Sequence, residues 1–149
     1  MPGDSLDGEF ATCYMAENTL AAFAETFLRE GRVKLVMVDE LEARQWSRLQ
    51  VVAPLTLVSC HGSALTTLQT TSAISSGAYS RSRAWAAALH SHPDGPDGLR
   101  YRSRHNDDQF CNALFDRAAA SVRVIETLPL LHPSTGVIDA INAYAVSVR

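Results

Sequence analysis

Segments of period two and segments of period 3.6 follow one another along this 149-residue chain without the regular strand–helix–strand alternation that builds a doubly wound sheet. That order favours a compact α+β domain. Phe10 to Met15 reads as a short strand, and Asn18 then caps a helix whose Leu20, Phe23, Ala24, Phe27 and Leu28 fall on one face before Gly31 stops it. Val33 to Val38 is a strand, Asp39 caps a short helix through Trp46 and Leu49, and Leu55 to Cys60 is a further strand. Tyr79 to Leu89 is a second good helix. Asn112 to Asp116 and Val122 to Leu128 follow as strands, and Ser134 or Thr135 starts a last helix through Tyr144. The Ser/Thr-rich stretch Thr66 to Ser82 is punctuated by Leu68, Ile74 and Tyr79, so it reads as ordered but loop-rich. There is no internal repeat and no linker long enough to separate domains, and residues 1–149 read as one domain.

Charge is spread unevenly, and this says more than the net of −3. Residues 1–48 carry nine acidic and five basic side chains, Leu49 to Ser80 carry none, and residues 81–123 carry seven Arg against five Asp. Of the 13 basic residues 12 are Arg, whose planar fork grips carboxylates and phosphates. An Arg-rich segment serves a phosphorylated ligand or is simply a solvated face. With 46% apolar residues and a net negative charge, the chain matches neither a disordered protein nor a nucleic-acid binder. The longest apolar run, Val51 to Val58, contains Pro54 and falls far short of the roughly 18 residues that span a bilayer. The acidic, polar residues 1–9 are unlike a secretory signal, so a cytoplasmic protein is expected.

Cys13, Cys60 and Cys111 are odd in number and widely spaced, and they read as reduced core thiols. The pair His90 and His92, followed by Asp94, offers metal ligands only if a strand presents both imidazoles. The turn residues Pro93 to Gly98 favour a solvated loop, so no metal site is expected.

Two positions stand out. In Leu99 to Arg104 strand alternation places Leu99, Tyr101 and Ser103 on one face and Arg100, Arg102 and Arg104 on the other, away from Ser103. Ser103 is then a hydroxyl at the rim of a pocket floored by Tyr101, or a strand-terminal serine feeding the next turn. Glu25 lies at the edge of the apolar helical face, beside Ala21 and Leu28. It either looks into a cleft or pairs with Arg29 four residues on.

The runs Phe10 to Glu17, Ala21 to Thr26, Asp97 to Arg104 and Asn112 to Asp116, in that order, resemble the RES domain, the toxin component of bacterial toxin–antitoxin modules. The resemblance covers Phe10 to Leu130. It implies a fold like that of ADP-ribosyltransferases, a split mixed sheet with flanking helices. It implies Glu25 and Ser103 as catalytic residues and Tyr14, Tyr79 and Asn112 as substrate-binding ones. The implied substrate is NAD, cleaved between nicotinamide and ribose by hydrolysis or phosphorolysis. No other cofactor and no metal are required, and a partner antitoxin of the Xre type checks growth inhibition. On this resemblance Glu25 stabilises the positive charge that develops on the ribose, Tyr14 walls in the nicotinamide ring, and Ser103 orients ribose or phosphate. Neither membrane nor direct nucleic-acid binding is implied, and homo-oligomer formation is left open. The family's defining arginine is expected upstream of the tyrosine, yet residues 1–9 contain no Arg. The alternative is therefore a catalytically impaired, N-terminally shortened domain that binds nucleotide or antitoxin without turnover.

Overall fold

The computed structural model describes residues 10–29 and 34–149. In chain order the elements are β1 (Thr12–Ala16), α1 (Thr19–Phe27), β2 (Leu35–Val36), α2 (Val38–Glu42), β3 (Gln45–Val51) and β4 (Leu57–Ser59). They continue with α3 (Ala64–Thr67), α4 (Ala73–Ser76), α5 (Tyr79–His90), β5 (Gly98–Arg102), β6 (Phe110–Phe115), β7 (Val122–Pro129), α6 (Val137–Ala143) and β8 (Ser147–Val148). Helix and strand are mixed, and the strands divide into one four-stranded sheet, ordered β1-β6-β5-β4, and two two-stranded ones, β2-β8 and β3-β7. In the larger sheet β4 runs parallel to β5, while β5–β6 and β6–β1 are antiparallel.

Local chemistry sets the elements that matter for function. Asn18 is extended and its Oδ1 accepts from Ala21 N at 2.9 Å, satisfying an orphan donor in the first turn of α1. Phe23 of α1 buries against Val36, Leu41, Val137 and Ala140, which forms one core, and Ala21 and Ala24 of the same helix are buried as well. A second core gathers Cys60, Ile74, Leu89 and Phe115, with Leu99 and Tyr101 packed against it, so α4 and α5 cover the sheet face that carries Leu99 and Tyr101. Burying a side chain the size of Phe115 is worth about 1.5–3 kcal/mol.

Several expectations shift. Trp46 and Leu49 lie on strand β3, not on a helix from Asp39, because pairing with β7 captures Gln45–Val51 after α2 ends at Glu42. The strand expected over Val33 to Val38 shrinks to Leu35–Val36, with Val38 already in α2; Val33, like Gly31, lies outside the described residues. Cys60 and Cys111 are buried thiols, as expected, but Cys13 is exposed.

Candidate functional site

Glu25 sits in the last turns of α1, and Ser103 follows directly on the end of β5. Their side chains meet: Ser103 Oγ donates to Glu25 Oε1 at 2.6 Å, and the backbone N–H of Arg104 donates to the same oxygen at 3.1 Å. Ser103 is only 3% exposed, and its Oγ also accepts from His105 N at 3.3 Å. Oε1 is thus anchored twice, whereas Oε2 takes no hydrogen bond among the described residues. The alternative of a Glu25–Arg29 ion pair is not realised. Arg29 Nε instead donates to the backbone oxygen of Glu25 at 2.8 Å.

The approach of helix to strand is fixed from outside the pair. Ser103 N donates to Gln109 O at 2.8 Å, closing the turn between β5 and β6, and Asn18 Nδ2 donates to Gln109 Oε1. Tyr144, just past α6, accepts from Asn106 Nδ2 at 3.0 Å and donates to Leu20 O at 3.2 Å, so one phenol links that turn to α1.

Around this pair the sheet supplies aromatic and thiol groups. Tyr101 lies opposite Cys111, and Leu99 opposite Ala113, which in turn faces Tyr14 on β1. Strand alternation puts Tyr14, Tyr101 and Cys111 on one sheet face. Burial first, then the neighbouring Cys111, Glu25 and Tyr14, hold the Tyr101 phenol far above its usual range. Burial first, with Glu25 next, pushes the Cys111 thiol up to about 12, which makes it inert. Tyr14, in contrast, is 69% exposed and presents an open ring beside the buried group.

Tyr79 is the first residue of α5, and the Arg104 guanidinium lies 5.0 Å from its ring centroid. Asn112 is not brought to the pair. It faces Arg100 across the ladder on the opposite sheet face, where Nδ2 donates to Glu17 Oε1 at 3.3 Å and Oδ1 is buried without a partner among the described residues. On that face Arg100 grips Glu17 through two hydrogen bonds, of 2.6 and 2.9 Å, and lies 3.7 Å over the Phe110 ring.

This outer cluster sets a pH dependence of stability. The Arg100 hydrogen bond holds the Glu17 carboxyl below its usual range, and burial first, then the charges of Arg100 and Arg102, lower the His61 imidazole. Both folded values are depressed, so each contribution is complete above the unfolded value and is lost as pH falls through the folded one. Thermal midpoints should therefore decline from the ordinary imidazole range downward. His61→Gln removes the upper part of that decline and Glu17→Gln a share of the lower part, to which Asp116, lowered first by its hydrogen bond to His90, also contributes; each substitution acts by no more than about 1 kcal/mol because both groups meet solvent. A scan of melting temperature against pH for the three proteins checks this.

His90 and His92 do not share a ligand. His90 Nε2 bonds Asp116 Oδ1 at 3.1 Å, while His92 Nδ1 lies 3.7 Å from Asp94 Oδ2. Among the described residues no group of three or more His, Cys, Asp or Glu is gathered to hold a metal ion. No helix there is long and apolar enough to cross a membrane.

Sequence alternation missed one residue of the site. Strand β5 ends at Arg102, so the period-two rule stops before Arg104, which turns to the α4–α5 side instead of following Arg100 and Arg102. The family model described as RES domain matches residues 5–132 of the chain. Comparison with curated proteins and with solved structures finds no match.

Proposed function

The chain belongs to the RES domain family, and from that premise we propose that it degrades NAD as a growth-inhibiting toxin controlled by an antitoxin protein. The family's association with toxin–antitoxin modules supports the setting. The observation that carries the chemistry is the 2.6 Å contact between Ser103 Oγ and Glu25 Oε1, which fixes the carboxylate and leaves its other oxygen for a ligand.

In the proposed reaction the bond between nicotinamide N1 and ribose C1′ breaks, and its electron pair leaves with the ring. Nicotinamide departs neutral, and the ribose becomes an oxocarbenium ion. Glu25 faces that charge and strengthens as it develops, which is where a preorganised carboxylate is worth most. Water or inorganic phosphate then adds to C1′ through oxygen and releases its proton to solvent, closing the cycle as hydrolysis or phosphorolysis. Tyr14 provides a wall for the departing ring, and Ser103, with the Arg104 N–H, holds the carboxylate in one rotamer.

Nicotinamide release from NAD by the purified protein, with and without phosphate, tests this. Release is expected, and binding of NAD without release would make the domain a binding module instead. Ser103→Ala should lower release about tenfold and cost about 1.5–3 kcal/mol of stability, since one charge-assisted hydrogen bond to a buried hydroxyl is lost. Rates at saturating NAD, with a thermal melt, measure both.

A further inference from the structure

We propose that Arg104 binds the diphosphate of the dinucleotide, an assignment that rests on the reading of Glu25 and Ser103 above. Its backbone N–H touches the same Glu25 oxygen as Ser103, so its position is tied to the reacting end of the site. Its side chain then spans to the α4–α5 junction. There Nε and Nη2 donate to Ser75 O at 3.3 and 3.1 Å, and Nη2 donates to Gly77 O at 2.9 Å.

The sheet face and the partners of this arginine differ from those of its neighbours. Arg100 is neutralised by Glu17, and Arg102 spends a donor on Asp107 O beside Phe110 on the far face. Arg104 is exposed, and among the described residues it forms no ion pair with a carboxylate; its charge meets only neutral carbonyl oxygens. Those bonds occupy Nε and both hydrogens of Nη2, while Nη1 takes none among the described residues, so its two hydrogens remain to donate. The guanidinium also rests against the ring of Tyr79, itself 62% exposed, which limits its rotation. An arginine held in place from one side, with donors left on the other, is preorganised for a phosphate oxygen. NAD carries two linked phosphates beyond the ribose that Glu25 would face.

The experiment compares ligands with and without phosphate. Binding of ADP-ribose is measured by calorimetry, and kcat/KM is measured for NAD and for nicotinamide riboside. Arg104→Gln should weaken ADP-ribose binding at least about tenfold and lower the preference for NAD over the riboside by a similar factor, mostly through KM. Arg104→Lys should recover part of both, because charge is kept and the fork is lost. Unchanged ADP-ribose affinity, or equal losses on NAD and riboside, would overturn the assignment in favour of a purely structural staple. A parent protein that binds ADP-ribose with this Arg104 dependence yet releases no nicotinamide would overturn the enzymatic reading and leave the arginine's role standing. Failure of the parent to bind ADP-ribose would overturn the arginine's assignment, and nicotinamide release by that same protein would leave the enzymatic reading standing.

Discussion

Glu25→Gln should lower nicotinamide release by about 10²–10³-fold, the usual cost of removing a preorganised electrostatic partner of the transition state. The substitution is nearly isosteric. An amide oxygen can still accept from Ser103 Oγ and Arg104 N, now 2.6 and 3.1 Å from Oε1, so the turn after β5 keeps its anchor. What disappears is the negative charge opposite the developing oxocarbenium ion. The loss should therefore fall on kcat and kcat/KM together, with NAD affinity little changed. Steady-state nicotinamide release and a binding titration on the same protein check the split. A variant that keeps more than a tenth of the parental rate would remove Glu25 from the chemistry.

Gly98→Ala should be the most damaging small substitution in the sheet. A Cβ there would lie 2.2 Å from Ala113 O and 3.0 Å from the Leu114 Cα, both backbone atoms of β6. Neither can step aside without opening the β5–β6 ladder, in which Gly98 faces Leu114. Gly98 also opens the strand that delivers Tyr101 and Ser103 to the site. We expect destabilisation of about 4 kcal/mol or more, at the upper end of what single substitutions do, and loss of activity with it. Gly62→Ala is the informative contrast: its Cβ meets nothing within 4 Å, so only the strain of φ +57° remains, worth about 1 kcal/mol. Chemical denaturation of the two variants beside the parent separates clash from strain.

How far the chain could be read in advance depended on how local each cause is. Helix α1 was legible because Asn18 caps it and Phe23, Ala24 and Phe27 repeat on one face, all within ten residues. Strand β3 was not. Trp46 and Leu49 stand three apart, as on a helix, while most of Gln45–Val51 is exposed, so no alternation of buried and open residues betrays a strand. Only β7, more than seventy residues later, decides the matter. The four-stranded sheet's order likewise depends on pairings that no local pattern states. At the site, the edge position of Glu25 and the end position of Ser103 were visible, but each admitted a bland alternative. Their meeting across 78 residues came from the family resemblance, and the structure places the two side chains in contact. Arg104 departs from the alternation of Arg100 and Arg102 because β5 ends two residues before it. Asn112 was rightly seen on a strand, yet its register against Arg100 sends it to the other face.

Tyr144 carries a further consequence. Its hydroxyl links Asn106 to Leu20, yet it lies 12 residues beyond the last residue matched by the family model, residue 132. A graft of residues 5–132 onto another scaffold would transplant the acid and the alcohol without the keystone that sets their spacing. Such a graft is expected to be born disarmed.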